Sequence, residues 1–114
     1  MAKFLVDLKL QIGEYEKSTM HLIESETREQ AMLQAMADES HGEANMDSCD
    51  GVWWDMGGEM AYCVRKCEPI TDDIVKALTF TGCFHVRQFD PEQIVEMLSD
   101  DADTHDIDEM LSYL

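Results

Sequence analysis

Phe4-Leu5-Val6-Asp7-Leu8-Lys9-Leu10-Gln11-Ile12 decides the architecture. Phe4, Val6, Leu8, Leu10 and Ile12 fall on one side of a period-two repeat, and Leu5, Asp7, Lys9 and Gln11 on the other. Successive strand side chains point to opposite faces, so five apolar residues in register predict a strand with one face on a core. Gly13 permits a reversal, and residues 16–24 read as the returning strand, with Met20 and Leu22 inward. The pair predicts an antiparallel hairpin.

Beyond it, Thr27 and Gln30 have capping-box spacing, and the stretch from Glu29 to Glu39 is rich in the helix formers Ala, Met, Leu and Gln. Ala31/Met32, Ala35/Met36 and Glu39 share one face, and Gly42 is placed to close the helix. Residues 43–50 are polar and read as a loop. Gly57-Gly58 separates Val52-Trp53-Trp54-Asp55-Met56 from a run ending at Cys67, the pattern of a second hairpin. Thr71, with Asp72 and Asp73 behind it, caps a helix through Ile74, Val75, Ala77 and Leu78 that stops before Gly82. Cys83 to Val86 reads as a short edge strand.

Asp90-Pro91 starts a helix whose apolar face is Ile94, Val95 and Leu98. After an acidic connector at 99–106, Ile107, Met110, Leu111 and Leu114 recur at helical spacing. The order is therefore ββαββα, followed by two acidic helices. This predicts an α+β domain: an antiparallel sheet of four to five strands, helices on one face and acidic helices at the C-terminus. A length of 114 residues suits one domain, 1–114, made of a sheet–helix core at 1–89 and an acidic helical segment at 90–114.

Charge sets the function classes. The chain has 25 Asp and Glu against 8 Lys and Arg, a formal charge of −17, yet 45% of it is apolar, which argues against disorder. Such a field repels nucleic acid and anionic membranes and attracts basic protein surfaces. From Asp90 onward nine acids (Asp90, Glu92, Glu96, Asp100, Asp101, Asp103, Asp106, Asp108, Glu109) stand without a Lys or Arg. The bland reading is a solvated, solubilising surface. The functional reading is that carboxylates on a helix, rising about 1.5 Å per residue, imitate a nucleic-acid backbone with about one charge per 1.7 Å of duplex. No apolar run spans a membrane and no signal peptide is apparent, so a cytoplasmic location is expected.

Catalytic and metal constellations are thin. Cys49, Cys63, Cys67 and Cys83 are expected to remain thiols, with Cys63 and Cys67 on one strand face as core residues. The Cys63-x3-Cys67 spacing also admits zinc, although no second pair completes a site. Calcium loops begun at Asp101 or Asp103 fail: their sixth residues are Asp106 and Asp108, and their twelfth Ser112 and Leu114. His41-Gly42-Glu43 can be drawn with Cys49 and Asp50 as a Cys/His site, by sequence proximity alone. No P-loop or dinucleotide glycine pattern occurs, so no cofactor and no enzyme activity is expected. Trp53 and Trp54 must point to opposite faces, one to the core and the other expected beneath the C-terminal helices.

The segments Lys3-Phe-Leu-Val-Asp-Leu-Lys-Leu-Gln-Ile-Gly-Glu-Tyr-Glu and Gly51-Val-Trp-Trp-Asp-Met-Gly-Gly-Glu-Met-Ala-Tyr look like those of small phage proteins. Together with size, element order and charge, they make the chain resemble the small acidic inhibitors of phages and mobile elements. That group includes anti-CRISPR proteins and antirestriction DNA mimics. The resemblance implies a non-enzymatic inhibitor in the host bacterial cytoplasm, bound to a basic nucleic-acid-binding surface of a CRISPR effector or restriction enzyme. It carries over no functional residues. The charge pattern itself nominates Asp100, Asp101, Asp103, Asp106, Asp108 and Glu109 as contacts, with Asp72, Asp73, Glu92 and Glu96 beside them. The rival is a small adaptor or assembly protein docking through Ile107, Met110, Leu111 and Leu114. A homodimer through the 83–86 edge strand is also compatible with the sequence.

Overall fold

A computed structural model of the chain describes residues 1–46, 50–99 and 101–114. The alternating stretch forms β1 (Ala2–Ile12), which turns at Gly13 (φ +59°) into β2 (Tyr15–Ser25). Their antiparallel register runs unbroken from Ala2↔Ser25 to Ile12↔Tyr15. Phe4, Val6, Leu8 and Leu10 are buried as expected, whereas Ile12, at the hairpin tip, is exposed. The two-residue turn fixes the phase of β2: Phe4 pairs with Ile23 and Val6 with His21. Ile23 therefore points inward, and Met20 and Leu22 fall on the reverse face, opposite to the sequence expectation.

The helix α1 (Arg28–Glu39) starts at Thr27, whose Oγ1 accepts from the Gln30 amide at 3.2 Å. Gln30 Oε1 reaches back one residue further than a standard capping box, to the Glu26 amide at 3.0 Å. Ala31, Leu33, Gln34, Ala35, Met36 and Ala37 are all at most 1% exposed, so burial extends well beyond the expected two-turn stripe. The cause is position, with the sheet on one side and two later helices on the other. The helix ends at an extended Ser40, and Gly42 lies two residues beyond that cap.

Then follow β3 (Trp53–Asp55), a single 3-10 turn over Met56–Gly58, and β4 (Met60–Ile70). β4 pairs with β1, but the register slips between Lys66↔Asp7 and Val64↔Leu8, leaving Arg65 as an extra residue. This bulge inverts the side-chain phase. Cys67, opposite Val6, is buried, while Cys63, opposite Lys9, takes the reverse face. The two thiols thus do not share a face, and their spacing does not bring them onto one metal ion.

The remaining elements are α2 (Asp72–Phe80), β5 (Val86–Gln88), α3 (Pro91–Met97) and α4 (Thr104–Ser112). The expected edge strand forms slightly later than 83–86 and runs parallel to β2, giving a sheet ordered β3-β4-β1-β2-β5. Over the described residues the fold is α+β, with five mostly antiparallel strands and four helices in the order ββαββαβαα. Phe4, Leu8, Trp53, Tyr62, Ile94, Ile107 and Met110 join one core between the sheet and α1, α3 and α4. The fourth helix, α2, takes the other face. Its Asp72 meets Lys3, a reverse-face residue, at 3.6 Å, and Leu22 and Val75 are buried apart from the main core. Trp54, on that reverse face, is 37% exposed and is not covered by the C-terminal helices.

Candidate functional site

Two short helices make the acidic surface, and each is held by its own carboxylates. At the start of α3, Asp90 Oδ1 accepts from the Gln93 amide at 3.3 Å, and Pro91 occupies the first turn. The buried Gln34 of α1 anchors this start. Its Oε1 accepts from the Asp90 amide at 2.7 Å, and its Nε2 donates to Gln93 Oε1 at 2.7 Å and Asp38 Oδ1 at 2.9 Å. With Ile94 fully buried against α1, Glu92 and Glu96 are left exposed. At the start of α4, Asp103 Oδ1 accepts from the His105 amide at 2.9 Å, and Asp106 Oδ2 accepts from the Asp103 amide at 2.8 Å.

Burial of Ile107 and Met110, at 3% and 4% exposure, turns Asp108 and Glu109 to solvent. Leu111 and Leu114 pack on the same core. Of the stripe nominated for adaptor docking, Ile107 and Met110 are therefore taken into the fold, while Leu111 and Leu114 are half-buried. Carboxylates line both flanks of α4: Asp101, Asp106 and Glu109 a groove of about 330 Å³ over Met110, and Asp90, Glu92 and Asp108 a groove of about 450 Å³ over Ile107.

The ten nominated residues thus separate by position. Glu92, Glu96, Asp101, Asp108 and Glu109 are exposed on α3, α4 and their connector. Asp103 is exposed and Asp106 half-buried, but both carboxylates are committed to capping α4. Asp100 lies outside the described residues. Asp72 and Asp73 sit on α2 across the sheet, so they do not belong to this surface.

Lys and Arg are absent after Arg87, and four of the eight are held elsewhere. Lys3 pairs with Glu24 at 3.3 Å, Lys9 and Arg65 with Glu16 at 3.4 and 2.6 Å, and Arg87 with Asp38 at 3.1 Å. Among the described residues no ion pair with Lys or Arg neutralises a carboxylate of the last 25 positions.

The split between capping and free carboxylates gives a direct check. Asp103→Ala removes an N-cap and is expected to cost about 1 kcal/mol. In a domain of this size that lowers the thermal midpoint by roughly 4 °C. Asp108→Ala, fully at the surface, is expected to stay within about 0.5 kcal/mol of wild type. Thermal unfolding followed by circular dichroism distinguishes the two.

One polar cluster went unread in the sequence. Asp55 is fully buried. It accepts from Ser40 Oγ at 2.5 Å, from Tyr62 Oη at 2.5 Å and from the amides of His41 at 2.9 Å and Gly42 at 3.3 Å. Burial alone pushes its carboxyl upward, but the bonds from Ser40, Tyr62 and His41 outweigh this and hold it below the usual Asp value. Burial, and then the Asp55 charge, push the Tyr62 hydroxyl well above its ordinary range. The clue was phase: with Trp53 inward, Asp55 two residues on must also point inward. His41 Nδ1 lies 3.2 Å from Asp55, and Cys49, its suggested partner, is outside the described residues. The cluster ties the end of α1 to the β3–β4 hairpin.

Among the described residues no three His, Cys, Asp or Glu side chains are placed to hold a metal ion, and no helix is long and apolar enough to cross a membrane. Compared with protein-family models, curated proteins and solved structures, the chain matches none.

Proposed function

We propose that this protein is a non-enzymatic inhibitor that sets the carboxylates of α3 and α4 against a basic nucleic-acid-binding surface of a bacterial CRISPR effector or restriction enzyme. The observation that carries this reading is the segregation of charge. Glu92, Glu96, Asp101, Asp108 and Glu109 lie exposed on elements without a single Lys or Arg, while the cations lie on the sheet, α1, α2 and β5. An unneutralised array of this kind steers toward Lys- and Arg-lined channels and competes there with phosphates, by long-range attraction that salt weakens. The helices are braced by Gln34 and by the Asp103–Asp106 cap, so the carboxylates meet a partner largely preorganised.

Competition is the test. The protein is titrated into target-DNA binding by purified guide-loaded effectors and by restriction enzymes at two salt concentrations. Loss of DNA binding in at least one system, relieved by raising salt, supports the reading. DNA binding left intact across the panel counts against it.

A further inference from the structure

Among the described residues the sheet leaves two strand stretches without an outer partner, β2 from Tyr15 to His21 and β4 beyond Tyr62, and the chemistry of the β2 edge points to a second copy of this chain. β5 covers β2 only from Leu22 to Glu24, so Tyr15 to His21 have no strand partner on that side, with Cys83, Phe84 and His85 bordering the groove beside Met20 and His21. The Phe89 amide donates to the Glu24 carbonyl, which fixes which backbone groups face outward. By period-two alternation Glu16, Ser18 and Met20 present unpaired N–H and C=O groups at this edge. Free edges are ordinarily blunted by proline, bulges or brevity. The segment here has no proline and an unbroken register with β1, and its charged residues are Glu16, already paired with Lys9 and Arg65, and Lys17. On the opposite side β3 covers β4 only from Met60 to Tyr62 and is itself bridged by Asn45, whose amide and carbonyl both bond Trp54, while the uncovered remainder of β4 carries the Arg65 bulge and Pro69.

We infer that two chains pair antiparallel through this edge, with the two-fold axis at Ser18. Among the registers that match outward-facing groups, one centred on Glu16 would oppose Glu16 to itself. One centred on Lys17 would oppose that lysine to itself. The Ser18 register opposes Glu16 to Met20, Lys17 to Thr19 and Tyr15 to His21, with no like charges face to face. It also provides for Tyr15, which is 81% exposed in the single chain. Tyr15 lies on the inward side of the sheet, where His21 of the second copy borders an open groove of about 790 Å³ floored by Ala37 and Met97.

Local charge permits this contact despite the net −17, because Glu16 is already neutralised by Lys9 and Arg65. A strand pairing of this length makes a small interface, so the dissociation constant is expected in the roughly micromolar range. Screening the residual repulsion should tighten it as salt rises, the opposite of binding to a basic partner.

The test is sedimentation of the full chain from 1 to 200 μM at low and high salt. A dimer that strengthens with salt is expected. Ser18→Lys and Ser18→Glu, with fold checked by circular dichroism, should each weaken it at least tenfold, and an equimolar mixture of the two should restore it as a heterodimer. Tyr15→Ala, which removes an exposed side chain, should weaken the dimer several-fold without altering the monomer's melting. A wild-type chain that stays monomeric at 200 μM would overturn the proposal. So would a dimer indifferent to the Ser18 substitutions, or a mixture that fails to recover.

Discussion

Asp55→Ala is expected to lower stability by about 3–5 kcal/mol, the largest effect of any carboxylate among the described residues. The substitution leaves the Ser40 and Tyr62 hydroxyls and the amides of His41 and Gly42 without their common acceptor. Each unsatisfied buried donor costs on the order of 1–3 kcal/mol, with water reaching some of them beside the exposed His41. The thermal midpoint should fall by roughly 15 °C or more. Tyr62→Phe removes the hydroxyl that Asp55 and the Glu39 carbonyl share and should cost about 1–2 kcal/mol. Acidity adds a second readout. Because the folded carboxyl titrates below its ordinary value, its contribution is fully present above about pH 4 and is lost as pH falls through the folded value. The stability difference between wild type and Asp55→Asn should therefore be constant from pH 7 to 5 and shrink toward pH 2. Urea unfolding across that range checks both points, and a difference independent of pH would contradict the ionised clamp.

The second large effect concerns binding. Changing Glu92, Glu96 and Glu109 to Gln, and Asp101 and Asp108 to Asn, removes five negative charges without altering side-chain shape. None of these residues contributes to the core, so the melting temperature should move by no more than about 2 °C. Association with a basic target should slow by a factor on the order of 10–10³, the range that electrostatic steering supplies. A matched variant neutralises Glu14, Glu26, Glu59, Glu68 and Asp73, which are equally exposed but lie on the strands, turns and α2. It has the same net charge and should bind nearly as wild type. Equal loss in both variants would mean that total charge, and not the α3–α4 surface, determines recognition.

What was legible in the sequence follows from how local each signal is. The β1 alternation, the Thr27, Thr71 and Asp90 caps and the 107–114 stripe depend on neighbours within a few residues, and each appears where its spacing placed it. The phase of β2 depends on how many residues the turn consumes, and there a one-residue difference exchanged Met20 and Leu22 for Ile23. Cys63 and Cys67 were misread for a related reason. A bulge at Arg65 is decided by pairing with β1, so four-residue spacing within β4 does not reveal it. The reverse-face position of α2 also required three-dimensional topology: its helix pattern is local, but the face that it covers is not.

The acidic surface shows the same division. Composition marked residues 90–114 as uncompensated, but it did not separate free carboxylates from those that cap α4. Nor did it exclude Asp72 and Asp73, which lie on the reverse face. Asp55 was hidden because a lone aspartate beside two glycines reads as turn chemistry, and its partners Ser40, His41 and Tyr62 come from distant positions in the chain.

Affinity capture shows which cellular surface the carboxylates of α3 and α4 meet. The tagged protein is passed through lysate from bacteria expressing CRISPR and restriction systems, eluted with stepwise salt, and its partners are identified by mass spectrometry. Recovery of a nuclease or guide complex that is released by salt and excluded by added DNA is the expected result. Recovery only of an acidic or neutral partner that survives high salt would contradict it, leaving the carboxylates of α3 and α4 as a solubilising surface.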